Sequence, residues 1–68
     1  MENITIKKWS VMKMFDGKIW KTLKPLKNEF KVSAKKSKNG NSYKFIKNVG
    51  KSKYTIQVDI FDVVGNYA

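Results

Sequence analysis

The stretch Lys35-Lys36-Ser37-Lys38-Asn39-Gly40-Asn41-Ser42-Tyr43-Lys44-Phe45 decides how this chain is read. Asn-Gly is the preferred pair for a two-residue type I′ turn, because both central residues need φ > 0. Upstream, Phe30, Val32 and Ala34 alternate with Lys31, Ser33 and Lys35; downstream, Tyr43 and Phe45 flank Lys44. A period of two on both sides of a turn predicts a β-hairpin. With Asn39 and Gly40 at the tip, Lys36 falls opposite Tyr43, Lys35 opposite Lys44, and Ala34 opposite Phe45. One face then carries Phe30, Val32, Ala34, Phe45 and Val49 and reads as core. The other carries Lys31, Ser33, Lys35, Lys44 and Ile46.

Outward from the hairpin, the same alternation recurs. Ile4-Thr5-Ile6 begins a strand, and the apolar positions then switch parity at Trp9, Val11, Met12 and Met14. A β-bulge produces such a switch; a short helix over residues 9–15 is the rival reading. Asp16-Gly17 is a second turn signal, followed by a strand from Ile19 to Leu23 that Pro25 stops. Residues 26–29 read as a loop, Phe30 to Lys36 as the third strand and Tyr43 to Lys47 as the fourth. A basic turn over residues 48–53 leads to the fifth, with Tyr54, Ile56, Val58 and Ile60 on one face, running toward Val63 and Val64. Two leucines and two alanines leave little material for long helices. The expected fold is all-β: a small five-stranded antiparallel barrel, OB-like or SH3-like, or a curved sheet, in a single domain over residues 1–68. An open sheet that completes its core as a homodimer is the alternative.

The chain has 68 residues, 15 lysines, no arginine, five acids and a net charge of +10. So short a domain buries only about 60% of its unfolded surface, and without cysteine it has no disulfide to add. A cation excess of this size attracts polyanions. Lysine is a compact point charge without the bidentate fork of arginine, which favours phosphate contact over base-edge readout. An A/T-rich coding sequence would also enrich lysine, asparagine and isoleucine. No apolar run reaches the roughly 18 residues of a membrane span, and no secretory segment is visible; a cytoplasmic location is expected, with a cationic membrane-surface peptide as the weakest reading because the apolar period is that of a strand.

Catalysis is not expected. Histidine and cysteine are absent, which removes the common general bases, thiol nucleophiles and transition-metal ligands. Asp59 and Asp62 fall on opposite faces of a regular strand, and the glycines are isolated. No cofactor is called for.

What remains is a cationic surface with rings. Single-strand binders combine a basic groove for the backbone with aromatic side chains for base stacking. The candidate set is Trp20, Lys35, Lys36, Lys38, Tyr43, Lys44, Lys47, Lys51, Lys53 and Tyr54. Phe15, Phe30 and Phe61 read as core, as does Phe45 opposite Ala34; Trp9 leans that way, while Tyr43 and Trp20 divide evenly between core and ligand. Like charges directly opposed, as Lys35 and Lys44 are here, destabilise a hairpin by a few tenths to about 1 kcal/mol unless an anion sits between them. A basic strand, Lys-Asn-Gly and an aromatic strand beginning at Tyr43 resemble the hairpins of small OB-fold single-stranded-DNA-binding proteins, including phage-encoded ones. The resemblance covers about residues 31–61 and implies non-specific single-strand binding through Lys35, Lys36, Tyr43, Lys44 and Phe45. The competing expectation is a small viral or mobile-element protein whose basic face binds and inhibits a host protein.

Overall fold

Strand β4 (Phe30–Lys36) is the hinge of the architecture. Its first five residues pair with β1 (Glu2–Ile6), in the register Ile6↔Phe30 through Glu2↔Ala34. Its last two pair with β5 (Ser42–Val49), Lys35↔Lys44 and Lys36↔Tyr43. A strand that changes partner along its length folds one half of a sheet over the other. The computed structural model, which describes residues 1–66, has seven antiparallel strands in the order β3-β2-β6-β5-β4-β1-β7. The remaining strands are β2 (Lys13–Phe15), β3 (Trp20–Thr22), β6 (Ser52–Asp59) and β7 (Val63–Asn66). β3 and β7 are the two edges, so the sheet is strongly curved but not closed into a barrel. No α-helix occurs among the described residues.

The expected five strands become seven because the first and fifth each break where the chain bends. Between β1 and β2, a turn at Lys8-Trp9 replaces the expected β-bulge. Trp9 takes φ 70 there, an unusual conformation for a bulky residue. Three hydrogen bonds hold the turn: Trp9 N–H donates to the Leu26 carbonyl (2.7 Å), Leu26 N–H to the Ser10 carbonyl (3.0 Å), and Ser10 Oγ to the Lys7 carbonyl (2.6 Å). Between β6 and β7 a 3₁₀ turn, Ile60–Asp62, intervenes. The Asp59 carboxylate caps it, accepting from Phe61 N–H at 2.9 Å, and this local bond competes with continued pairing. The chain then crosses to the far edge, where β7 pairs with β1.

The turns also differ from expectation. Residues 38–41 form a four-residue loop: Gly40 N–H donates to the Ser37 carbonyl (3.0 Å) and Ser37 N–H to the Ser42 carbonyl (2.8 Å). Only Gly40 has positive φ, at 75°, so the Asn39-Gly40 type I′ turn does not form. Asn39 Oδ1 instead accepts from Ser37 Oγ (2.7 Å) and Asn41 N–H (3.0 Å). The two-residue turn lies at Gly50-Lys51, closing the Val49↔Ser52 pair with Gly50 at φ 61; glycine at the first central position is the type II′ preference.

The curved sheet wraps a core of Ile4, Ile6, Met12, Ala34, Tyr43, Phe45, Ile56 and Val58, with Phe30, Val32, Met14 and Tyr54 packed at its margin. The Phe30 and Phe45 rings meet at 5.7 Å across the fold. Tyr43 is 5% exposed, and its hydroxyl donates to Glu2 Oε2 at 2.7 Å. That bond to a carboxylate is the main reason its phenol is held above the ordinary tyrosine range. A folded value above the unfolded one means the contribution is complete below about pH 10 and is lost as pH rises through the raised value. Denaturant melts above pH 10 are expected to show this loss in the wild type and not in Tyr43→Phe. Comparing the two proteins cancels the titration of the lysines.

Candidate nucleic-acid interface

The outward face of the sheet is set by the residues that alternate with the core. Ile56, Phe45 and Met14 share one inward row, since Phe45↔Ile56 and Met14↔Ile56 are cross-strand pairs. Their neighbours along each strand point to solvent. One outward row runs across five strands: Lys35, Lys44, Gln57, Lys13 and Thr22, each opposite the next. The adjacent row runs Ile46, Thr55, Phe15 and Trp20. With strands about 4.8 Å apart, Lys35 and Lys13 lie roughly 14 Å from one another. Two residues along a strand separate the rows by about 7 Å.

A lysine row thus lies beside an apolar and aromatic row. Ile46 is 60% exposed and Trp20 45%. The Phe15 and Trp20 rings meet at 5.0 Å with planes inclined by 35°. Their hairpin is fixed by Asp16, whose Oδ1 accepts from the Lys18 and Ile19 N–H groups at 2.9 and 3.1 Å. Those bonds, the one from Ile19 foremost, hold the Asp16 carboxyl below its ordinary value. The stabilisation they give is therefore present above the ordinary carboxylate range and is lost as pH falls through the lowered value. Lys21 Nζ adds a contact at 3.7 Å to the same carboxylate.

The expected residues separate into three groups. Lys35, Lys36, Lys38 and Lys44 line, with Ser37, one shallow hollow of about 320 Å³ at the hairpin end. Lys35 and Lys44 are directly opposed, as their alternation predicts. Lys47, Lys51 and Lys53 lie at the other end of β5 and β6, exposed around the Gly50-Lys51 turn. Trp20 sits at the β3 edge of the outward face. Tyr54 is half-buried against the core.

Tyr43 is a correction. Its ring is in the core and its hydroxyl is engaged by Glu2, so it offers no stacking face. Phe45, included through the OB-fold resemblance, is likewise core. Three rings expected inside are not in the core: Trp9 is 69% exposed, Phe61 84%, and Phe15 lies half-buried in the outward row beside Trp20. Phe61 is out of phase with the buried Ile56 and Val58 of β6, so even a continued strand would face it outward, and the 3₁₀ turn at Ile60–Asp62 leaves it there.

Lys13 and Phe15 carry no sequence signal that marks them for this face. They join it through the β2–β6 pairing, which links residues some forty positions apart and leaves no local trace. Among the described residues no group of three or more His, Cys, Asp or Glu is placed to hold a metal ion, and no helix is long and apolar enough to cross a membrane. No protein-family model, no curated protein and no solved structure matches this chain.

Proposed function

We propose that the chain is a non-enzymatic nucleic-acid-binding protein that takes single strands, of DNA or RNA, across the outward face of its sheet without reading their sequence. One observation carries this: the Lys35–Lys44–Lys13 row beside the Ile46–Phe15–Trp20 row. Phosphates lie along the first, and bases pack on the second, where Trp20 and Phe15 supply the stacking surface. Opposed Lys35 and Lys44 carry a repulsion that a bound phosphate relieves. The tip lysines Lys36 and Lys38 extend the cationic track. A row of lysines without arginine favours the backbone over base edges.

Of the OB-like and SH3-like connectivities expected, the strand order supports the SH3-like one, in an open sheet and not a closed barrel. Strands β4, β5 and β6 form a meander, one 3₁₀ turn follows, and the last strand returns to the first.

Fluorescence-anisotropy titrations of labelled oligo-dT and of a duplex, over a series of salt concentrations, test the proposal. The expected result is tighter binding of the single strand and a log K that falls linearly with log salt. Absence of binding at low salt, or a preference for duplex, would overturn it.

A further inference from the structure

β5 has an unused edge. β4 and β5 pair only at Lys35↔Lys44 and Lys36↔Tyr43. Before that point β4 belongs to β1; beyond it β5 has β6 on one side and no strand among the described residues on the other. The alternation of an antiparallel ladder fixes which groups are left over. Ser37 N–H donates to the Ser42 carbonyl, so Ser37/Ser42 and, two residues on, Lys35/Lys44 are the pairs whose backbone groups face each other. The N–H and C=O of Lys44 point toward β4. Those of Ile46 and Asn48, in the same phase, point into the space that β4 has left.

That space is open and shaped. A groove of about 310 Å³ opens there and reaches over β5 to β6, lined by Met1, Ser33, Lys35, Lys44, Phe45, Ile46 and Thr55. Ile46 and Val49 are exposed apolar side chains on the same strand. Exposed edges of this kind are usually blunted by lysine, proline, a bulge or a covering element, and of these β5 carries only the lysines, Lys44 and Lys47. β5 contains no proline, and its pairing with β6 runs without a register shift from Ser42 to Val49.

We propose that the β5 edge accepts an added strand from another protein: an extended segment in which acidic and β-branched residues alternate. Its main chain bonds to Ile46 and Asn48, which gives affinity; its alternate side chains give specificity. The acidic character follows from Lys35 and Lys44 at the closed end of the groove, in a chain of net charge +10. The same charges oppose a second copy of this chain as the occupant, because two β5 edges would bring lysine against lysine.

A synthetic peptide of four Glu-Val repeats is the probe. On adding it, hydrogen exchange of the Ile46 and Asn48 amides is expected to slow, while the β6-facing amides of Phe45 and Lys47 change little. Asn48→Pro removes one outward donor at a position where proline is tolerated, because that N–H lies outside the ladder. It is expected to weaken peptide binding about tenfold and to leave oligo-dT binding unaltered, which separates this inference from the proposed function. Exchange at Ile46 and Asn48 unchanged by saturating peptide would overturn it, a reading on the wild type that holds whether or not the proline variant folds. Equal affinity for a Lys-Val peptide would overturn the acidic assignment, and self-association of the free protein through β5 in sedimentation would overturn the choice of partner.

Discussion

Replacing Lys35 and Lys44 together by alanine is expected to make the salt dependence of single-strand binding shallower by about 1.4 in log K per log salt, at about 0.7 for each phosphate no longer neutralised. If wild type and variant converge near 1 M salt, where the counterion term vanishes, the difference grows to about 25-fold at about 0.1 M. Both side chains are exposed and opposed on the outward face, so stability is not expected to suffer. Removing a like-charge pair should leave it unchanged or raise it slightly. The variant therefore separates binding from folding: a weaker binder that melts no earlier than wild type. Parallel anisotropy titrations and thermal melts check both halves. An unchanged slope would mean that the two lysines do not meet the phosphates.

Ile56→Ala is expected to unfold the protein. Ile56 is fully buried at the centre of the curved sheet, opposite Phe45 on one side and Met14 on the other. Truncating a buried isoleucine costs about 2–5 kcal/mol, from lost transfer energy and the cavity left behind. A domain of this size rarely has more than about 3–5 kcal/mol to lose. Ile46→Ala, one strand row away on the exposed face, should cost no more than about 0.5 kcal/mol. Urea denaturation followed by circular dichroism distinguishes the two. A two-state curve for Ile56→Ala with a wild-type midpoint would contradict the assignment of Ile56 to the core.

The contrast between these two isoleucines shows what the residues disclose unaided. Alternation alone places Ile56 inside and Ile46 outside, because a period of two fixes sidedness once one strand partner is known. It also gives β4 from Phe30 to Lys36 and the Lys35–Lys44 register. That register survives although the turn differs, because a four-residue loop centred on the same point preserves it. The turn type is hidden in side-chain bonding: Ser37, Asn39 and Asn41 hold the loop through the Asn39 carboxamide, and Asn-Gly alone does not reveal this. Tyr43 is ambiguous in sequence for a related reason. A ring at a hairpin end is exposed unless another strand covers it, and Glu2 of β1 reaches it from forty-one residues away.

The candidate face is legible only in part. Its lysines at 35 and 44 and its tryptophan at 20 stand in local patterns. The row that joins them depends on β2 pairing with β6, a non-local choice that no turn signal specifies. Likewise, the breaks that turn five expected strands into seven come from short-range bonds at Ser10 and Asp59. These divert the chain to a new sheet neighbour, with Trp9 and Phe61 left outside.

The most direct measurement is a two-dimensional ¹H–¹⁵N NMR titration of the protein with unlabelled oligo-dT. The amides of Lys13, Phe15, Lys35, Lys44, Ile46, Thr55 and Gln57 and the indole N–H of Trp20 are predicted to shift together as one saturating set. Shifts confined to residues away from this face, or no shifts at low salt, would contradict the claim that the lysine row and the apolar row form one binding surface.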